Sequence, residues 1–325
     1  MLISVIICTK DRADDLQRTL KSLGDVRVPE GCTCELLVVD NNSHDHTAAV
    51  IAKAELPQMT VRYVAEKNIG LSYARNRGLA EGRGEILVMT DDDLRFHPEW
   101  LEDLTGPLRR GEAELATGIM RLAPHLEREW MKPMHFIWLA APTMDSSFSG
   151  SPELIGANMA VSRQVLSRVP RFDPELGGGA YGFGDDTLFG YQAERAGYGI
   201  CVVPLGTEHH FLPDRLTRAN FLRHAEKLGK TGAYLAYHWE HRPLPIARVN
   251  FYRKLLQIAA WRRLHPSDVQ KFEGMHPSEM HHLRSLHLYG QTLIERRRPR
   301  NYEQYGLVKK PGAVSGKSET KDTHD

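Results

Sequence analysis

The chain has 325 residues with 42 Lys and Arg against 41 Asp and Glu, and its net charge of +1 gives no global attraction to nucleic acid or to a membrane. The length suits one large domain, or a domain with an appendage, able to bury a sizeable core. No stretch approaches the ~20 apolar residues that a bilayer span needs. The chain enters an apolar run at once with Ile3, Val5, Ile6 and Ile7, leaving no room for a secretory leader. Cys8, Cys32, Cys34 and Cys201 lack the paired spacing of a zinc ribbon and read as reduced thiols, so a cytoplasmic location is expected.

Residues 2–8 are β-branched and almost continuously apolar, which predicts a strand buried on both faces of a parallel sheet. A polar loop from Thr9 to Arg12 follows, then Leu16, Leu20 and Leu23 at helical spacing. A second strand over 35–39 ends in Asp40, Asn41 and Asn42 ahead of a helix over 48–52; a third, over 61–64, precedes a helix marked by Leu71, Ala74 and Leu79. The fourth, Ile86, Leu87, Val88 and Met89, reaches Thr90 and then three consecutive carboxylates, Asp91, Asp92 and Asp93. Like charges at ~4 Å and an effective dielectric of ~20 repel by about 4 kcal/mol per pair, so their convergence calls for a cation, and a divalent metal would supply it. The competing reading is a solvated turn before the helix suggested by Pro98, Trp100, Leu101 and Leu104. Placement at the carboxyl end of a buried strand, where open α/β sheets bind ligands, favours the metal.

This alternation predicts a doubly wound, mostly parallel sheet over the first hundred residues or so, with three polar strand ends lining one crevice. Residues 122–152 are irregular, with Trp130, Met131, Met134, Phe136 and Trp138 among prolines; packing is preferred there to an acceptor-facing insertion. A strand over 155–161 and a helix over 162–169 come next. A loop rich in glycine, with Gly177, Gly178, Gly179, Gly182 and Gly184, then leads into Asp185 and Asp186 at the head of a helix carrying Phe189, Ala193 and Ala196, and a strand over 200–203 closes the unit. After Pro213 the chain is helical and basic. Phe251, Leu255 and Ile258 share a face ringed by Arg248, Arg253, Lys254, Arg262 and Arg263, read first as packing on the preceding domain and second as contact with anionic lipid through residues 248–264. The polar tail over 301–325 is expected to be disordered.

SVIICTKDR at 4–12, VVDNNS at 38–43, NIGLSYARNRGL at 68–79, ILVMTDDD at 86–93 and GDD at 184–186 stand in an order that closely resembles the family-2 inverting glycosyltransferases of GT-A fold. The resemblance covers about the first 215 residues. It implies an α/β, GT-A type doubly wound sheet flanked by helices over 1–215, divided into a nucleotide-binding half over 1–95 and an acceptor-binding half over 96–215, with a basic helical extension over 216–300. It also implies a nucleotide-sugar donor, with a UDP-sugar first choice, held by Thr9, Arg12, Asp40, Asn42, Asn68, Arg75, Asp91 and Asp92. Mn²⁺ or Mg²⁺ would sit on Asp93 with Asp91 also in the metal set, Asp91 and Asp92 being oriented toward ribose, sugar or metal-bound water, and His209 or His210 completing the shell. Asp186 maps to the general base, and Asp185 replaces the Glu usually found before it. The implied acceptor is a glycan, a lipid-linked saccharide or a small molecule, at the inner face of the cell membrane if the basic helix binds lipid. A degenerate nucleotide-sugar scaffold would have lost the metal or base carboxylates. A sugar nucleotidyltransferase falls behind because residues 9–15 hold no glycine for a phosphate loop.

Overall fold

The computed structural model describes residues 1–141 and 154–312. Eight strands form one sheet in the order β3-β2-β1-β4-β7-β6-β8-β5. They are β1 (Leu2–Thr9), β2 (Thr33–Asp40), β3 (Thr60–Ala65), β4 (Ile86–Asp91), β5 (Leu94–Arg95), β6 (Leu115–Leu122), β7 (Asn158–Ser162) and β8 (Ile200–His209). Pairings β1–β2, β1–β4, β2–β3 and β6–β8 are parallel, whereas β7 runs antiparallel to both β4 and β6, and β5 antiparallel to β8. Helices α1 (Ala13–Leu23), α2 (Thr47–Ala52), α3 (Leu71–Glu81) and α4 (Trp100–Arg109) are the crossovers of the first half. The short α5 (Pro133–Trp138) and then α6 (Asp185–Arg195) belong to the second; α7 (Arg218–Tyr234), α8 (Ala247–Leu264), α9 (Pro266–Val269) and α10 (Pro277–Glu295) follow the sheet. This is the GT-A type architecture, a mostly parallel sheet flanked by helices with a helical C-terminal region.

β1 is central and buried from Ile3 to Thr9, as its unbroken apolar run requires. Strand order reverses between its two neighbours, so a crevice opens where the β1, β2 and β4 carboxyl ends meet. The register sets Thr9 beside Asp40 and Cys8 beside Asp91, bringing together three loops far apart in the chain.

Three expectations are corrected. The stretch after β7 is a 3₁₀ turn over Arg163–Ser167 rather than a full helix. The basic helix α8 rests chiefly on α10 and reaches the apolar cluster beside the end of β6 through Ile258 alone; Ile258 is the one residue of its expected apolar face that is fully buried, and Leu255 is exposed. Residues 301–312 are not a free tail. Tyr302 and Tyr234 donate to Asp173 Oδ2 at 2.7 and 2.5 Å, Lys309 bridges Asp173 and Glu175 at 2.9 and 2.6 Å, and Asn301 donates to Glu175 at 2.8 Å. These bonds anchor the start of the glycine-rich loop to the C-terminal segment. Residues 142–153, within the irregular aromatic stretch, and 313–325 of the expected tail lie outside the described residues.

Glu279 on α10 joins the terminal helices. Wholly buried, it accepts from Arg218 of α7 at 2.6 Å and Arg262 of α8 at 2.8 Å. Glu279→Leu leaves Arg218 buried without its counter-charge and is expected to destabilise the protein by about 3–5 kcal/mol in urea unfolding. An unchanged midpoint would show that the pair is not needed for stability.

Candidate active site

The three consecutive carboxylates occupy different environments. Asp92 and Asp93 are buried, while Asp91 reaches the cleft. Thr9 Oγ1 donates to Asp92 Oδ2 at 2.7 Å; Arg12 donates to Asp92 Oδ1 at 2.6 Å and to Asp93 Oδ2 at 3.0 Å. Burial pushes Asp92 up to about 7, and repulsion from Asp93 and Asp91 adds to it against the pull of Arg12 and Thr9. Burial acts the same way on Asp93, but His209, Arg12 and Arg215 outweigh it and hold that carboxyl well below the usual range.

Two observations bear on a cation at Asp93. Its Oδ1 is buried without any hydrogen-bond partner among the described residues. His209 lies with Nε2 3.4 Å from Asp93 Oδ2, and its Nδ1 is 3.1 Å from the carbonyl of Leu139. Assigning the ring proton to Nδ1, where only a carbonyl can be met, turns the Nε2 lone pair toward a carboxylate, an arrangement that needs a proton or a metal between them. His210 instead pairs with Glu208 at 3.1 Å and packs on His125, which separates the two histidine candidates. Among the described residues no group of three or more His, Cys, Asp or Glu side chains is arranged to hold an ion. The free oxygen of Asp93 and the imidazole nitrogen of His209 are ligand types that a divalent ion takes, with phosphate oxygens and water able to fill the rest of its shell.

Arg75 links this cluster to the second acid pair. Its guanidinium is buried, 2.7 Å from Asp185 and 3.6 Å from Asp91, so the arginine expected on the base or diphosphate joins the two acidic loops. A Cβ at Gly156 would lie 2.5 Å from Arg75 Nη1, so glycine is needed for this approach. Asp185 is thus matched by a cation and Asp186 is not. Among the described residues the Asp186 carboxylate accepts only from the N–H of Gly156 and of Thr187, each at 2.8 Å, and from the more distant Thr187 hydroxyl. Burial, then the neighbouring charge of Asp185, pushes Asp186 up to about 6. Gly184, with φ of 84°, turns the chain into α6; a Cβ there would come within 2.4 Å of Thr231 on α7.

The other expected donor contacts are spread more widely. Asp40, buried at the end of β2, accepts from Tyr63 OH at 3.0 Å and Ser43 N–H at 2.9 Å. Asn42 sits in the left-handed region with φ of 61°, and Asn68 donates to Glu66; neither bonds to either acid cluster. Asn41 was not singled out, yet it holds the loop before α3, donating to the Asn68 carbonyl and accepting from Gly70 N–H at 2.7 and 2.8 Å.

A cavity of about 390 Å³ contains Asp91, Asp185, Asp186 and His209. Its far wall is unanticipated: Arg215, Asn220, Arg223, His224 and Lys227 from the α7 region, with Trp138 and Phe183. The sequence signal was present as basic residues after Pro213, but no spacing linked them to the acids. Trp138 also answers the question raised by its aromatic segment. It is mostly buried in the cluster that includes Phe221 and Met280, as packing predicts, while also reaching the cavity.

Residues 4–169 match the profile of glycosyl transferase family 2. The chain is 26% identical over 186 residues to the glucosyl-dolichyl phosphate glucuronosyltransferase of Haloferax volcanii, covering 54% of this chain and 58% of that protein. It thus spans little over half of that relative's length. In fold it resembles the mannosyltransferase PcManGT from Pyrobaculum calidifontis, solved with GDP-Man and Mn²⁺, at a TM-score of 0.55 and 18% identity over 91% of this chain and 74% of that one. It also resembles glucosyl-3-phosphoglycerate synthase from Mycobacterium tuberculosis, solved with Mn²⁺, UDP and glucosyl-3-phosphoglycerate, at 0.50 and 23% over 70% and 77%. The profile match spans more than half of a chain whose two acid clusters meet in one cleft, and the protein belongs to glycosyl transferase family 2.

Proposed function

We propose that this protein transfers a sugar from a nucleotide-sugar to an acceptor hydroxyl with inversion, and that Asp186 is the general base. The carrying observation is the unequal treatment of the acid pair: Asp185 is ion-paired with Arg75, while among the described residues Asp186 has only two backbone N–H groups and a hydroxyl, lines the cleft and is raised to about 6. Asp186 takes the proton of the hydroxyl whose oxygen attacks the anomeric carbon. The bond from that carbon to the phosphate oxygen breaks, and its electron pair leaves with the nucleoside diphosphate. Mn²⁺ or Mg²⁺ bound at Asp93 and His209 would neutralise the charge that accumulates on the diphosphate. Arg75 keeps the two acidic loops in register, and Arg12 holds Asp92 and Asp93 in place.

A UDP-sugar is the proposed donor. A carboxylate oxygen has two lone pairs, so Asp40 can accept a pyrimidine imide N–H in addition to its present bonds. Solved proteins of this fold are described with GDP-Man as well as UDP, so the base is a matter for experiment. Thermal stabilisation by UDP, GDP and their sugars with and without Mn²⁺ tests the reading, since a ligand of the native state raises the melting temperature. Stabilisation by UDP that requires Mn²⁺ is expected; stabilisation by no nucleotide under any condition would contradict it.

We also propose that α8 rests on anionic lipid. It contains five Arg or Lys and no acid, and Val249, Tyr252, Leu256 and Leu264 are exposed on it. No helix among the described residues is long and apolar enough to cross a membrane. In flotation, the protein should rise with phosphatidylglycerol vesicles and not with phosphatidylcholine vesicles. Remaining at the bottom with both would contradict the contact.

A further inference from the structure

We infer that the acceptor carries a phosphate group near its reactive hydroxyl and that Arg223 and Lys227 bind it. The inference rests on the glycosyltransferase reading above and names the acceptor class for the same cleft. Asn220, Arg223, His224 and Lys227 stand at helical spacings of three, four and seven, so one stripe of α7 lines the cavity that holds Asp185 and Asp186.

The cations of this cavity differ in their partners. Arg75 is matched by Asp185, and Arg215 lies 3.4 Å from Asp93, on the metal side. Arg223 donates only to the neutral Asn220, and neither it nor Lys227 has a carboxylate within ion-pair distance among the described residues. An acid is close by on the same helix, but Glu226 pairs with Lys230 at 2.6 Å on a different face. The Lys227 stem lies across the glycine-rich loop, where a Cβ at Gly182 would come within 2.6 Å of its Cδ. The base-bearing loop and an ammonium with no ion pair among the described residues are therefore held against each other.

Between these two cations stands His224, stacked on Phe183 with centroids 4.3 Å apart and on Trp138 at 5.2 Å. Burial, assisted by Lys227 and Arg215, keeps this ring neutral, so the anion-binding charge of the stripe belongs to Arg223 and Lys227 alone. They sit one helical turn apart, about 6 Å along the axis, a span that a single tetrahedral anion can bridge through two long side chains. Two positive charges match the ≈ −1.5 to −2 of a phosphate monoester near neutral pH.

The test measures binding of inorganic phosphate by calorimetry at fixed ionic strength, with and without saturating UDP and Mn²⁺, for wild type, Lys227→Arg and the double variant Arg223→Ala/Lys227→Ala. Both side chains are exposed, so the variants should fold. The double variant is expected to lose phosphate affinity about tenfold or more and to keep its UDP affinity; Lys227→Arg should keep both. sn-Glycerol 3-phosphate and phosphatidylglycerol vesicles are then tried as displacers. Displacement by the first identifies a soluble phosphate ester as the source, and displacement by the second alone a lipid headgroup. Unchanged phosphate binding in the double variant would overturn the inference, as would displacement by neither. A parallel loss of UDP affinity would also overturn it, because the cations would then serve the donor. Wild type that binds phosphate through these residues but never binds UDP would sink the donor reading and leave this anion site standing.

Discussion

Asp186→Asn should slow sugar transfer by about 10²- to 10⁴-fold, the range associated with losing a general base, while nucleotide binding stays intact. The amide keeps the size of the side chain, but its single oxygen can accept from the N–H of Gly156 or of Thr187 and not from both, since these bond to different oxygens of the acid, so unchanged nucleotide affinity is the check that the loop has not moved. What is lost is the ability to take a proton. The pH dependence gives a second readout. Because the pKa is raised in the free protein, the protonated and inactive form persists well above the ordinary carboxylate range; kcat/KM should therefore rise with pH through about 6 and then level off. Asp185→Asn removes the like charge and frees Arg75, and both changes favour ionised Asp186, so the acidic limb should move to lower pH. Initial rates across pH for the three proteins check this, and near-normal turnover by Asp186→Asn would remove that residue from the chemistry.

Asp93→Ala should lower metal-dependent turnover by ~10²- to 10³-fold, in line with the several kcal/mol that a bound cation supplies to a developing charge. The carboxylate is surrounded by Arg12, His209 and Arg215. Without it that ring keeps its positive character and repels a divalent ion, so affinity and rate should fall together. His209→Ala should weaken Mn²⁺ binding and spare more of the rate, because it removes a ligand without leaving bare positive charge. Titrating turnover against Mn²⁺ separates the two variants; an unchanged half-saturating concentration in Asp93→Ala would place the ion elsewhere.

Strands β1, β2 and β4 were legible because strands covered on both faces must be continuously apolar, a local property, whereas the edge strand β3 showed only a short β-branched pattern. Their polar ends were legible for the same reason, since each marks where the run stops. β5 and β6 were not: β5 has two residues, and Gly118 and Arg121 break the apolar pattern of β6. Arg75 illustrates a different limit. Its surroundings are set by Asp91 and Asp185, which no spacing connects to it, so the sequence pointed to a cation in the cleft but not to the two acids it lies between. The segment over 301–310 misled through composition. It is polar enough to look unfolded, but Asn301, Tyr302 and Lys309 bond to the buried Asp173 and Glu175, beside Tyr234 and Arg298. The wall of the cavity made by α7 was hidden for the same reason, because long-range packing alone turns a basic helix toward the acids.

Arg75 spans less than the length of one side chain between Asp91 and Asp185, so a donor seated on the first cluster must present its sugar to Asp186 if the two acidic loops serve one reaction. Crystals grown with UDP and Mn²⁺, with data collected at the manganese absorption edge, test this most directly. The account predicts an anomalous peak bound by Asp93 Oδ1 and His209 Nε2, with the β-phosphate directed into the cavity that contains Asp186. A peak away from both residues, or a β-phosphate pointing out of that cavity, would contradict it.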